Sequence, residues 1–124
     1  MSIPSDLKYT SDHEWARTEG NQITIGITAF AVEQLGDITI VGLDVHEGDT
    51  VEKGKVFGTV ESVKTVSDLY APVSGKVVKV NADLDLKPEL VNEDPYAAWM
   101  VVIEADADAT TDLLDAAAYE KHIA

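Results

Sequence analysis

Cysteine is absent from this 124-residue chain. The absence excludes disulfide bonds, a thiolate nucleophile and any metal site with cysteine ligands. If the protein takes part in sulfur chemistry, the sulfur atoms have to be brought in by another molecule.

Basic residues are scarce as well. Nine Lys and Arg residues stand against 23 Asp and Glu residues, which gives a formal net charge of -14. Nucleic acids and anionic membranes are bound through clustered Lys and Arg side chains. The composition therefore predicts no nucleic-acid and no membrane partner, and it favours protein partners that carry basic patches.

Long apolar runs are also missing, and none approaches the roughly 20 residues of a membrane-spanning helix. The first segment, MSIPSDLKYTSDHEW, has neither the basic and apolar regions of a signal peptide nor the Arg-rich character of a transit peptide. We therefore predict a cytoplasmic bacterial protein, or a mitochondrial matrix protein only if a transit peptide has been removed. With 45% hydrophobic residues, residues 1–124 are expected to fold as a single domain.

Short β-strands dominate what is present. Ile23, Ile25 and Ile27 follow the period-2 alternation of a half-buried strand. Gly36 follows a short stretch with helical spacing and is suited to end a helix. The predicted elements are strands at 21–27, 37–44 and 99–105, a short helical turn near 28–35, loop structure at 81–98, and a C-terminal helix near 110–122 capped by Thr110 or Thr111.

The segment 55–71 has strand character throughout. As one strand it would measure roughly 55 Å, whereas a domain of this size is only about 35 Å across. The segment therefore has to fold back near its middle, at Val63-Lys64, and this places Lys64 at the tip of a hairpin.

A two-residue loop at this point would pair Ser62 with Thr65 and place Phe57 opposite Tyr70. Tight hairpins favour Asn-Gly or Asp-Gly at the turn, and Val-Lys provides neither. Because local rules tend to fail at functional positions, Lys64 is a candidate modification site. An ordinary exposed lysine in a turn remains the alternative.

Metal ligation is not predicted. His13, His46 and His122 are far apart in the sequence, and the acidic segments 83–85 and 106–108 lack the glycine and the distant Glu of a calcium loop. Trp15 and Trp99 are expected in the core. Glu14 is either a cleft residue or a surface carboxylate.

Several segments, in order, resemble the glycine cleavage system H-protein family. The sequence ESVK followed by SDLYAPVSG resembles the lipoyl-attachment segment of that family. Further resemblances lie in LKYTSDHEW, GITAFAVEQLGDI, ELVNEDPY and LLDAAAYE, so that the similarity extends from about Leu7 to about His122. One segment departs: PYAAWM has alanines where family members often have glycines.

The resemblance implies a mainly β barrel-sandwich hybrid that carries lipoate in amide linkage on the side-chain nitrogen of Lys64. It further implies that Glu61 and Gly75 take part in recognition for lipoylation. Three residues match the cleft that receives the lipoyl arm in the family: Asp12, Glu14 and Asp68. Asp12 stands where some members have Ser.

The function implied by the resemblance is that of a carrier without catalytic activity of its own, expected to act as a monomer. It would shuttle an aminomethyl group from glycine decarboxylase (the P protein) to aminomethyltransferase (the T protein). Dihydrolipoyl dehydrogenase (the L protein) would reoxidise the arm, and a lipoyl transferase or ligase would attach it. The working sulfurs would then arrive with the cofactor, in agreement with the absence of cysteine.

Other classes fit less well or stay open. A biotin carrier would have Met on both sides of the lysine, and a lipoyl domain of a 2-oxo-acid dehydrogenase usually has Asp-Lys-Ala and a flexible linker. Lipoyl relay or storage for other lipoate-dependent complexes is an open alternative, and so is an unmodified interaction module.

Overall fold

The computed structural model describes residues 3–106 and 108–124. This part of the chain forms nine strands and four helices. In chain order they are β1 (Lys8–Tyr9), β2 (Glu14–Glu19), β3 (Gln22–Ile27), α1 (Ala29–Leu35), β4 (Ile38–Leu43), β5 (Thr50–Val51), β6 (Val56–Ser62), β7 (Val66–Tyr70), β8 (Gly75–Val80), α2 (Asp83–Leu86), α3 (Glu89–Glu93), β9 (Val101–Glu104) and α4 (Ala116–Ile123).

The strands form two sheets that enclose one core. The larger sheet has the order β1-β2-β3-β9-β8-β5, and the smaller has the order β4-β6-β7. The alternation predicted in β3 is confirmed, since Ile23, Ile25 and Ile27 are all buried. Val41 and Val60 contribute the same kind of inward-facing side chain from the smaller sheet. This architecture agrees with the predicted mainly β barrel-sandwich hybrid.

The short helix α1 is confirmed where it was predicted. The side chain of Thr28 accepts a hydrogen bond from the Ala31 backbone N–H at 3.2 Å, as an N-cap does. Gly36 ends the helix with φ of 85°, a left-handed conformation that favours glycine.

Two predicted elements differ from the structure. Residues 81–98 are not purely loop, because α2 and α3 lie within them; both helices are too short to show a helical period in the sequence. The C-terminal helix begins at Ala116 rather than near residue 110, and its N-cap is Asp115, which accepts from Ala118 N at 2.8 Å. Residues upstream of it are held instead by a β-bridge between Tyr9 and Leu114.

Helix α4 packs on the end of the larger sheet through a second apolar cluster. Tyr119 is buried and stacks on Tyr9 with ring centroids 4.6 Å apart. Trp15 is fully buried in this cluster, as expected, whereas Trp99 is only partly buried at its edge. Among residues 3–106 and 108–124, no helix is long and apolar enough to cross a membrane.

Candidate functional site

The hairpin tip at Val63-Lys64 is built by the side chain of Ser62. The predicted pairing is confirmed, since Ser62 N donates to Thr65 O at 2.8 Å. The Ser62 hydroxyl oxygen also accepts from the backbone N–H groups of Lys64 and Thr65, each at 3.1 Å. Within the described residues, His13 is the only non-glycine residue with positive φ. The turn therefore needs no Asn-Gly, because the Ser62 hydroxyl accepts hydrogen bonds from the two backbone N–H groups at the tip.

The predicted pairing of Phe57 with Tyr70 is wrong. Val56 lies opposite Tyr70 and Gly58 lies opposite Leu69, so Phe57 is the extra residue of a β-bulge. The bulge turns the Phe57 ring into the core, where only 1% of the residue is exposed. Burial of a large aromatic side chain outweighs the cross-strand pair that a regular ladder would give.

Lys64 projects from this tip beside the corner that follows α1. A Cβ atom at Gly36 would lie 3.1 Å from Lys64 Cε, so the lysine stem runs over the glycine. Val63 N donates to Asp37 O at 3.2 Å and fixes the tip to the same corner. The two ion pairs in the described part of the chain join His46 with Asp49 and Lys53 with Asp112. Lys64 is thus an exposed primary amine without a carboxylate partner among these residues.

The other residues predicted around Lys64 lie in two places. Glu61 is opposite both Ile40 and Val66, and Asp68 is opposite Thr59, so both acidic residues are on the outer face of the smaller sheet. Gly75 lies in the larger sheet instead, at the start of β8. There a Cβ atom would be only 2.2 Å from the backbone oxygen of Glu104. The structure therefore gives Gly75 a packing role of its own, whereas its part in lipoylation stays a prediction.

A pocket of about 290 Å³ lies at the far end of β7 from Lys64. Asp12 and Glu14 both line it and Asp68 does not, and the part of these residues in receiving the arm stays a prediction. The remaining lining residues are Tyr9, Thr10, Ser11, Lys53, Gly54, Tyr70, Ala71, Pro72, Asp112, Leu113 and Leu114. The question left open for Glu14 is thereby answered, since this residue is in a cleft and not at the surface.

Glu14 is 1% exposed although it is ionisable. Thr10 Oγ1 donates to one carboxylate oxygen at 2.6 Å, and Tyr70 N donates to the other at 3.2 Å. Burial raises the pKa of Glu14 to about 7, and these two hydrogen bonds oppose the rise. Its charge near neutral pH therefore depends on what occupies the pocket, because a bound cation favours the carboxylate form.

We expect this buried carboxyl to make stability depend on pH. The pKa rises from 4.5 to about 7 on folding, so the unfolded chain releases its proton first as pH increases. The free energy of unfolding should then fall by about 2 kcal/mol between about pH 5 and about pH 8 because of Glu14 alone. Urea unfolding at both pH values should show this loss for wild type and not for Glu14→Gln. Glu33→Gln, at an exposed position of α1, is the control, and equal losses in all three proteins would contradict the expectation.

The loop that carries Asp12 and leads into Glu14, at the start of β2, is attached to α4. His13 Nδ1 lies 2.9 Å from Tyr119 Oη, and His122 Nε2 lies 3.0 Å from the carbonyl oxygen of Ser11. Burial and the neighbouring His122 lower the pKa of His13. No local pattern predicts this arrangement, because His13 and His122 are far apart along the chain and yet their ring centroids are 5.8 Å apart.

In residues 3–106 and 108–124, no group of three or more His, Asp or Glu side chains is arranged to hold a metal ion. His46 pairs with Asp49 and is remote in sequence from the other two histidines. The acidic segment 106–108 includes Ala107, which lies outside the described residues.

Known proteins of one family match this chain over nearly its whole length. The family model described as "Glycine cleavage H-protein" matches residues 7–124. A glycine cleavage system H protein of Bacillus cytotoxicus is 59% identical over 121 residues, covering 96% of this chain and 94% of the relative. One from a Bacillus cereus strain is 58% identical over 121 residues with the same coverage, 96% and 94%.

A solved structure gives the same assignment. The crystal structure of a glycine cleavage system H protein from Mycobacterium marinum matches with a TM-score of 0.89 and 41% identity, and 98% of each chain is covered. The matched region agrees with the extent of the resemblance seen in the sequence, from about Leu7 onward. From its sequence, its fold and its relatives, this chain belongs to the glycine cleavage H-protein family.

Proposed function

We propose that this chain is the lipoylated carrier of the glycine cleavage system, with lipoate in amide linkage on Lys64. It shuttles an aminomethyl group from glycine decarboxylase to aminomethyltransferase, and dihydrolipoyl dehydrogenase reoxidises it. Family membership supports a carrier role in glycine cleavage. The observation behind the residue assignment is the exposed Lys64 amine at the tip of a hairpin that Ser62 and Asp37 hold in place.

The residues at the tip fit a covalently attached acid. A primary amine on a flexible four-carbon stem forms an amide and extends whatever is attached to it. Lipoate, when bound, supplies the dithiol that a chain without cysteine lacks. A tether also raises the effective concentration of the cargo at each partner enzyme.

The pocket at the other end of β7 fits a cationic amine. Glu14 and Asp12 offer carboxylates, and Glu14 is held rigidly by Thr10 and by the Tyr70 backbone. Charge-assisted hydrogen bonds to a buried carboxylate are strong, and a pocket that excludes water would slow hydrolysis of its contents. Strand β7 runs from the tip to Tyr70 and so connects the attachment site with the pocket. We assign Asp68, on the outer face of β7, a contact with the arm outside the pocket.

The proposal is tested by making the protein with lipoate and a lipoate ligase present, followed by intact mass and peptide mapping. One lipoyl group on the peptide that contains Lys64 is expected. Added to P, T and L proteins, this material should support glycine-dependent reduction of NAD. No modification, or modification elsewhere, would refute the assignment of Lys64. Lipoylation without support of glycine cleavage, together with transfer of the lipoyl group to other carriers, would favour lipoyl relay.

A further inference from the structure

Two histidines join the pocket loop to α4, and neither has a place in the carrier chemistry. His13 Nδ1 lies 2.9 Å from Tyr119 Oη, and His122 Nε2 lies 3.0 Å from the carbonyl oxygen of Ser11. The centroids of the two rings are 5.8 Å apart. Imidazole is the side chain whose charge ordinarily changes between pH 5 and pH 8. The contact between loop and helix is therefore made by two groups that protons can charge.

One wall of the pocket rests on α4. Tyr9 and Ser11 both line the pocket. The Tyr9 ring stacks on Tyr119, and the Ser11 carbonyl is bound to His122. Both wall residues are thus held by the helix, so movement of α4 away from the loop would open this side of the pocket.

The hydrogen bonds around His13 are fully satisfied only when its ring is neutral. Thr28 is buried, and in the described residues its hydroxyl contacts only Ala31 N–H, from which it accepts, and Tyr119 Oη at 2.8 Å. The Thr28 hydroxyl therefore donates to Tyr119, and Tyr119 donates to His13 Nδ1. A protonated His13 would donate from Nδ1 instead. Tyr119 would then have to donate to Thr28, and the buried Thr28 proton would lose its acceptor.

Charge on His122 acts in the same direction. Its Nε2 donates to a carbonyl oxygen in either protonation state, so a second proton adds only charge, close to the His13 ring. Burial and this neighbour lower the pKa of His13. Tyr119, between the two rings, stays neutral in this range because burial raises its pKa to about 12.

The other groups around the pair come from the loop, β2, α1 and α4. Asp12 in the loop opposes the lowering of the pKa of His13. Glu14 follows in β2 and is itself titratable near neutral pH. Helix α1 offers the uncharged ring of Phe30, and Lys121 of α4 adds a positive charge next to His122. One carboxylate of the loop thus stands against two positive groups of α4.

Resting on the carrier function, we propose that His13 and His122 are positioning residues for the pocket of Glu14 and form a latch that opens on protonation. While both rings are neutral, they hold α4 against the loop and keep the wall of Tyr9 and Ser11 in place. Once both rings are charged they repel each other, the chain of buried hydroxyl groups is broken, and α4 leaves the loop. Water then enters the pocket.

The consequence for the cargo is faster loss in acid. Water adds to the methylene carbon of the aminomethyl group, the carbon–nitrogen and carbon–sulfur bonds break, and formaldehyde, ammonia and the free thiol of the arm result. No oxidant or reductant is needed. The carrier therefore retains its cargo at neutral pH and releases it as pH falls below the ordinary pKa of histidine.

Two substitutions remove the titration and keep the hydrogen bonds. Within the described residues, His13 is the only non-glycine residue with positive φ, 71°. Asparagine adopts this conformation readily, so His13→Asn keeps the backbone and offers an amide oxygen as the acceptor. His122→Gln keeps an N–H group for the Ser11 carbonyl. His46→Gln is the matched control, because His46 is an exposed histidine on another segment.

Opening of α4 is measured by limited proteolysis with endoproteinase Glu-C, which cleaves after Glu120 in this helix. Rates at about pH 5.5 and about pH 7.5 are divided by those of a free peptide with the same residues 110–124, so that the pH dependence of the protease cancels. Cleavage after Glu104, in β9 of the larger sheet, reports global unfolding and should not rise in parallel. Glu14 is present in every protein compared and cancels as well.

Wild type should be cleaved in α4 about 3- to 10-fold faster at the lower pH. The pKa of His13 is lowered in the closed state and returns to 6.5 in the open state, so the latch is complete above about pH 6.5 and weakens below it. The double variant, His13→Asn with His122→Gln, should change less than about twofold, and His46→Gln should behave as wild type does. Equal pH dependence in wild type and double variant would refute the latch, and so would a His46→Gln protein that behaves as the double variant does.

A second measurement holds even if the double variant is open at both pH values. The NMR resonance of the His13 ring in wild type should titrate with a midpoint below 6.5. In His122→Gln this midpoint should rise, because the neighbouring charge is gone. A midpoint at or above 6.5, or one that His122→Gln leaves unchanged, would overturn the proposal.

Ammonia release from the loaded carrier connects the latch with the pocket. The ratio of release rates between the two pH values should be larger in wild type than in the double variant by about the factor seen in proteolysis. Opening of α4 without faster ammonia release would refute the positioning role. Absence of lipoylation on Lys64 would refute the carrier function instead, while proteolysis and NMR would still decide whether the latch exists.

Discussion

Replacement of Lys64 by arginine is expected to abolish lipoylation and glycine cleavage while the fold stays intact. The guanidinium group keeps the positive charge and the long stem, but it stays protonated in proteins and offers no nucleophilic amine. Because Lys64 is exposed at a turn, we expect the free energy of unfolding to change by no more than about 0.5 kcal/mol. Intact mass should show no added lipoyl group, and reconstituted P, T and L proteins should reduce no NAD above background.

Two exposed lysines away from the hairpin tip provide the control. Lys55 and Lys76 are exposed and close to strand ends, and arginine at either position should leave both lipoylation and glycine cleavage unchanged. Residual modification of Lys64→Arg on another lysine would show that the ligase does not select the hairpin tip. Loss of activity in the Lys55 and Lys76 variants as well would show that exchange of lysine for arginine acts through something other than loss of the acceptor amine at position 64.

Gly75→Ala is expected to destabilise the whole domain by about 3 kcal/mol or more, the range of severe overpacking. Its Cβ atom would lie 2.2 Å from the backbone oxygen of Glu104 and 2.7 Å from Cγ2 of Ile103. A backbone atom inside a sheet cannot move aside as the end of a flexible side chain can. Strands β8 and β9 would have to separate where Lys76 is opposite Glu104. Chemical unfolding of wild type and variant measures the loss directly.

Gly54→Ala is the matched control for this prediction. Gly54 has φ of 86°, but nothing lies within 4 Å of the position that a Cβ would occupy. We expect that variant to lose only about 1 kcal/mol through backbone strain. A similar loss in both variants would contradict the packing explanation. Lipoylation of Gly75→Ala, measured under conditions in which the variant is folded, then tests recognition separately: an unchanged KM of the ligase would leave Gly75 with a purely structural role.

Much of the fold could be predicted because its signals are local. The alternation of Ile23, Ile25 and Ile27 belongs to a single strand, and α1 has both a helical period and a terminating glycine. The position of the hairpin tip followed from length, since a straight strand of 17 residues would be too long for the domain. These features require no knowledge of which segments meet.

The errors concern contacts between distant segments. Whether Phe57 faces its partner strand or the core depends on the space inside the molecule, and no local pattern marks the bulge. The start of α4 is displaced because Leu114 forms a bridge with Tyr9, nearly the whole chain away in sequence. Helices as short as α2 and α3 have too few residues for a period to be recognised.

The residues of the candidate site show the same difference between local signals and contacts with distant segments. Lys64, Glu61 and Asp68 lie on one hairpin, so a motif in the sequence identified them together. The environment of Glu14 could not be anticipated, because it depends on the Tyr70 backbone, 56 positions further along the chain. The role of Ser62 at the turn has a sequence signal that could have been used, since a serine before a tight loop can accept its backbone N–H groups.

The attachment of α4 to the loop that precedes Glu14 predicts that mutations can inactivate this protein in two different ways. His13 and Ser11 contact this helix, whereas the tip of the Lys64 hairpin is held by Ser62 and Asp37. On the carrier function proposed above, damage to the last turn of α4 is expected to leave a protein that still accepts lipoate and yet releases its cargo to water. Cells with such an allele would contain normal amounts of protein-bound lipoate and would still lose formaldehyde and ammonia from glycine. Mutations in one small carrier would thus fall into two classes, one in attachment and one in retention, and neither class would complement the other because the arm and the pocket act within one chain.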